Sequence, residues 1–186
     1  NPRWLDASYA TDSVIGPFAE GLGENAGALL FQFSPEDMGG AGSFADRLHD
    51  FLRRLPKGIT YATELRNPEL LTPAYASALA DTGAVHCHNI WTAMPPLLAQ
   101  VRCIPPRARS PLLVRWLLRS GDAYEDAARR YGKFDRLADE DPANRTAIAK
   151  LVAKALAHDV PTLVVVDNKA EGCSPESIVR LARAII

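Results

Sequence analysis

The stretch Pro161-Thr-Leu-Val-Val-Val-Asp-Asn-Lys-Ala-Glu-Gly-Cys-Ser-Pro-Glu176 decides the fold. Thr162 to Asp167 is an apolar, β-branched run that breaks into Asn168, Lys169 and Glu171, after which Ser174-Pro175 reads as a cap opening a helix. A buried strand that delivers polar groups at its C-terminal end, followed at once by a helix, is the layout α/β barrels and open α/β sheets use for binding sites.

Upstream, the same unit recurs. Ala28-Leu-Leu-Phe-Gln-Phe33, Ile59 to Arg66, Ala84 to Asn89 and Pro111 to Leu118 each read as a short apolar strand. Helices are expected over most of residues 1–26, over Phe44 to Leu55, around Leu70 to Leu79, from Ala123 to Tyr131, from the Asp141-Pro142 cap to His158, and after Ser174. Strands separated by helices imply a parallel sheet with right-handed crossovers. No linker or repeat interrupts the pattern, so a single α/β domain over residues 1–186 is expected.

Bulk properties narrow the function. With 21 Lys+Arg against 22 Asp+Glu and a formal charge of -1, the chain offers no global field for nucleic acid or an anionic membrane. No apolar run approaches the length of a membrane span, and Asn1-Pro-Arg-Trp4 lacks the pattern of a signal peptide. A cytoplasmic protein is the expectation. The three cysteines, Cys87, Cys103 and Cys173, are odd in number and far apart, which fits buried thiols in a reducing compartment rather than disulfides or a zinc knuckle. The Gly39-Gly-Ala-Gly42 cluster lacks the Gly-Lys-Ser/Thr ending of a phosphate loop and reads as a βα loop. Five arginines between Arg102 and Arg119, with no acid among them, could face an anion or simply be solvated.

Alternation within the strands selects the candidate site. Glu64 and Arg66 lie two residues apart and share a face. Arg115 sits inside an apolar strand and needs a partner or a polar cavity. The expected set at one mouth is Gln32, Glu64, Arg66, His86 or His88, Arg115, Asn168, Lys169 and Glu171. Glu64 and Glu171 are the candidate catalytic carboxylates; Gln32, Arg66, His88, Arg115, Asn168 and Lys169 are the candidate substrate-binding residues. Two alternatives stay open: Glu64 as a structural partner of an arginine, and Glu171 as a loop cap. His86 and His88 with Glu64 and Asp167 form a less favoured metal arrangement, so neither a metal nor a cofactor is expected.

The stretches Gly27-Ala-Leu-Leu-Phe-Gln-Phe-Ser-Pro35, Tyr61-Ala-Thr-Glu-Leu-Arg-Asn-Pro68, Ile90-Trp-Thr-Ala-Met-Pro-Pro96, Leu113-Val-Arg-Trp116 and Val165 to Pro175 together resemble the YecE-like family, domain of unknown function seventy-two. The resemblance covers nearly the whole chain and implies a TIM-barrel type (β/α)8 architecture, here incomplete, with about five parallel strands matching the fourth to eighth of the barrel. It implies that three N-terminal βα units are lacking. Leu70 stands where the family commonly has an aromatic, Asp167-Asn168 where it has paired asparagines, and Arg115-Trp-Leu-Leu118 where many members have Arg-x-His-Gly. The family implies a fold and a site location rather than a reaction. The expectation is an enzyme using acid-base chemistry on a small polar or anionic ligand at the C-terminal mouth; alternatives are a metal-dependent hydrolase or isomerase and a non-catalytic ligand-binding or assembly module. Self-association through open sheet edges is also expected.

Overall fold

A computed structural model describes residues 2–119, 122 and 124–186. Five parallel strands alternate with helices, as expected of an incomplete TIM-type α/β barrel. The chain forms two compact units, the first ending at His86 and the second beginning at Cys87.

The first unit opens with α1 (Ala7–Ala10), where the Asp6 carboxylate accepts from the Tyr9 N–H at 3.0 Å. A π-helical turn (Thr11–Ile15) and α2 (Gly16–Leu22) continue it. Then come β1 (Leu29–Gln32), α3 (Ala41–Arg54), β2 (Tyr61–Glu64), α4 (Pro73–Thr82) and the start of β3 (Val85–Ile90). Leu29 to Gln32 align with Tyr61 to Glu64, and Ala62 and Thr63 align with Val85 and His86. Helix α3 buries Phe44, Ala45, Leu48, Phe51 and Leu52, a spacing that draws one helical face. Against it pack Phe31, 5.1 Å from Phe51, and Phe33, 5.1 Å from Phe44. Strand alternation therefore turns Leu30 and Gln32, with Ala62 and Glu64, to the other face of the sheet. In α4 the Thr72 hydroxyl accepts from the Tyr75 N–H, Pro73 occupies the first turn, and Gly83 ends the helix at φ +79.

The second unit holds Cys87–Ile90 of β3, then α5 (Leu97–Cys103), β4 (Leu112–Trp116), α6 (Tyr124–Tyr131), α7 (Pro142–Leu156), β5 (Thr162–Val166) and α8 (Ser174–Ile185). Cys87 to Ile90 align with Leu113 to Trp116, and Leu112 to Trp116 align with Thr162 to Val166. Leu112, Val114, Trp116 and Val166 share a core with Ile148, Val152 and Leu181 of α7 and α8. The Asp141 cap is present: its Oδ1 accepts from the Asn144 N–H at 3.1 Å.

Two local expectations are corrected. Helix α5 was not expected, the segment after Pro95-Pro96 having been read without structure. The helix expected from Ala123 to Tyr131 is present over Tyr124–Tyr131, Ala123 lying outside the described residues. Ser174 does not cap α8 with its side chain; the Asn168 Oδ1 accepts the Ser174 N–H at 2.8 Å instead. Among the described residues, no helix is long and apolar enough to cross a membrane.

Candidate functional site

In the first unit, the polar set gathers at the C-terminal ends of β1 and β2. Glu64 is fully buried and Arg66 is 5% exposed, with Nη2 of Arg66 2.7 Å from Oε1 of Glu64. The same Nη2 donates to Gln32 Oε1 at 3.3 Å. Gln32 is exposed and lies directly opposite Glu64 in the ladder. The geometry follows from period two: residues two apart on a strand share a face, and registered residues on parallel neighbours share it too. Taking both charges out of water is costly, and the short ion pair offsets that cost by mutual neutralisation. Next to this set, along β1, lies a cavity of about 490 Å³ whose lining includes Trp4, Tyr9, Phe31, Gln32 and Met38. That volume is within the range of small-molecule sites.

The two histidines of β3 face the helices. The Thr63 hydroxyl is 2.6 Å from the Tyr75 hydroxyl, which is 2.8 Å from His86 Nδ1. His88 is 2% exposed, with Nε2 3.0 Å from the Ile104 carbonyl. Burial pushes its pKa down to about 4, against the opposing pull of the Ile104 and Leu113 carbonyls. At neutral pH it is an uncharged imidazole donating to the Ile104 carbonyl.

In the second unit, Arg115 is half-buried and aligned with fully buried Asn89, so the two share the face opposite the α7–α8 core. Asn89 was not anticipated as a site residue. Its N–H and C=O are bound by the carboxamide of fully buried Gln100, at 3.1 and 2.6 Å, as a neighbouring strand would bind them. The end of β5 is used differently. Asn168 fastens the start of α8, and Lys169 Nζ lies 3.4 Å from Asp167 Oδ1 and 5.6 Å from the centre of the Phe134 ring. Glu171, fully buried, accepts from the Asp141 N–H at 2.7 Å, forms an ion pair with Arg145, and through its own carbonyl accepts from Ala138 and Asp139. Gly172 follows at φ +108, where an added Cβ would stand 2.8 Å from the Arg136 carbonyl oxygen. Glu171 and Gly172 thus seat the segment leading into α7.

Of the remaining candidates, Arg119 pairs with Asp139, which pushes its guanidinium pKa up. Cys87 and Cys173 are buried and Cys103 is exposed. Among the described residues there is no group of three or more His, Cys, Asp or Glu suited to a metal ion.

No curated protein matches the sequence. Two crystal structures of a DUF72 family protein from Enterococcus faecalis V583, EF0366, are similar in fold. One gives a TM-score of 0.57 with 16% identity over 85% of this chain and 58% of that one. The other gives 0.54 with 14% identity over 85% and 60%. The chain therefore spans less than two thirds of the length of that solved protein. Residues 2–186 match the family described as "Protein of unknown function DUF72"; with the parallel strands and polar strand ends set out above, the chain belongs to the DUF72 family.

Proposed function

We propose that the chain carries part of an enzyme site for a small polar ligand, anionic or hydroxylated, at the C-terminal end of β2. The observation that supports this reading is the fully buried Glu64 held by Arg66 and aligned with exposed Gln32. In barrels of this type, catalytic groups come from the C-terminal ends of the strands. Glu64 takes a proton from a ligand C–H or O–H and returns it, while Arg66 offers a planar fork to a carboxylate or phosphate. Gln32 bridges the pair and the cavity along β1, giving the ligand a neutral hydrogen-bonding contact at the entrance.

The test is a thermal-shift screen of the protein against a panel of small carboxylates, phosphorylated sugars and polyols, followed by calorimetry on each hit. A hit is expected whose binding is lost in Arg66→Ala and Gln32→Ala and whose turnover is lost in Glu64→Gln. Binding that survives all three substitutions would place the site elsewhere. Saturable binding without turnover in the unsubstituted protein would make this a binding module and not an enzyme.

A further inference from the structure

We propose that the groove between α7 and α8 is a second binding site, which takes a phosphate dianion, free or as the phosphate group of a small monoester. The groove has a volume of about 440 Å³ and is lined by Pro142, Arg145 and Thr146 of α7 and by Arg180, Arg183 and Ala184 of α8. That volume suits a small molecule. The helical period puts Arg180 and Arg183 on one flank of α8, and Ile178 and Ala182 on the opposite one. The arginine flank is the one turned to α7, since Arg180 reaches Glu140 in the segment that enters that helix. Every lining residue thus belongs to these two helices.

Two guanidinium groups already converge there on one oxyanion. Arg180 Nη1 donates to Glu140 Oε1 at 2.7 Å and to Oε2 at 2.8 Å, and Arg145 Nη2 donates to the same Oε2 at 3.2 Å. That oxygen marks where a phosphate oxygen would sit. Arg145 is largely buried and is fixed from behind by fully buried Glu171, while its Nε has no hydrogen-bond partner among the described residues. Arg183 makes no ion pair among the described residues, so its charge is available to an occupant. The first turn of α7 adds the positive end of its dipole.

The charge balance selects a dianion. Glu171 is enclosed with Arg145, but Glu140 is exposed and can turn into water without leaving a buried carboxylate unpaired. Once it does, the three arginines face Glu171 alone, and the two positive charges in excess match a phosphate dianion, whose oxygens fit the paired donors of arginine. Glu140 is therefore a tethered competitor, a single negative charge that a ligand displaces.

Calorimetric titration with inorganic phosphate and with glycerol phosphate, against chloride at constant ionic strength, tests the site. Saturation at one ligand per chain is expected, with a urea midpoint that rises as phosphate is added. Tighter binding of glycerol phosphate would assign the site to a monoester, and equal or weaker binding to the free ion. Arg183→Ala should weaken binding about tenfold. Arg180→Lys should weaken it too, because it keeps the charge and loses the fork. Glu140→Gln should tighten it about threefold or more by removing the competitor. A merely structural role for Glu140 predicts the opposite sign. Arg66→Ala should leave this binding in place, which separates it from the site at β2. Far-UV circular dichroism establishes that each variant is folded, and Arg183→Ala, which breaks no ion pair among the described residues, decides if another variant is not. Absence of saturable binding, binding indifferent to Arg183→Ala, or binding weakened in folded Glu140→Gln overturns the proposal.

Discussion

Glu64 and Glu171 are both fully buried carboxylates that form an ion pair with an arginine, yet the two pairs are set in different surroundings. Glu64 and Arg66 sit two residues apart on one strand end, and Arg66 also donates to the exposed carboxamide of Gln32. Glu171 joins residues far apart in sequence, taking the Asp141 N–H and the Arg145 guanidinium while its backbone takes Ala138 and Asp139. The contrast teaches that burial and charge pairing alone do not mark a reactive carboxylate. What distinguishes Glu64 is that its arginine lies on the same strand end and also reaches exposed Gln32, whereas Glu171 fastens the segment leading into α7.

The largest effect that could break this contrast is on stability. Glu171→Ala leaves the buried Asp141 N–H without its acceptor and Arg145 with only the exposed Glu140, and a loss of about 4 kcal/mol is expected in urea denaturation. The isosteric pair Glu171→Gln and Glu64→Gln then separates the roles. Glu171→Gln should change stability while leaving the response to a screened ligand in place, and Glu64→Gln should remove turnover. Loss of the ligand response in folded Glu171→Gln would erase the distinction.

Acid sensitivity gives the next largest effect. Because the folded pKa of His88, about 4, lies below the ordinary value of 6.5, the unfolded chain takes up the proton first. Stability is therefore full above pH 6.5, falls between about 6.5 and 4, and levels off for this group below that, a total of about 3 kcal/mol. In His88→Gln that part of the slope should vanish, with the new amide still able to donate to the Ile104 carbonyl. An unchanged slope would show that His88 does not set the acid sensitivity.

The smallest effect sharpens the account of Glu171. Gly172→Ala forces a side chain into φ +108 and against the Arg136 carbonyl, so a loss of about 2 kcal/mol is expected. Thermal unfolding of this variant beside Gly58→Ala checks it, since Gly58 also has positive φ, at +91, but no heavy atom near the added Cβ. Equal losses would mean that backbone conformation alone, and not the close approach of Arg136, explains the glycine.

The strands were legible because short apolar runs bounded by turn residues have few other readings; each expected run contains or closely overlaps its observed strand. Helix α5 was not, since its seven residues give too few turns for a helical period to stand out after Pro95-Pro96. Period two was enough to align Glu64 with Arg66 and His86 with His88. It could not say which face the histidines take, because β3 is buried along its whole length and both faces read as apolar. The partners of Glu171 were invisible for another reason: Asp141 and Arg145 are distant in sequence, and tertiary contacts of that kind leave no local spacing.

Gln100 carries a consequence for how β3 is specified. A neighbouring strand offers the same peptide groups whatever its sequence, so ordinary ladder pairing tolerates substitution. Beside Asn89, the neighbour is a single side chain, and its pairing is written in one codon. Replacing that carboxamide with a carboxylate, by mutation or by deamidation, would turn the group facing the Asn89 carbonyl from donor to acceptor. A one-atom change in α5 would thus oppose the end of a strand it does not belong to.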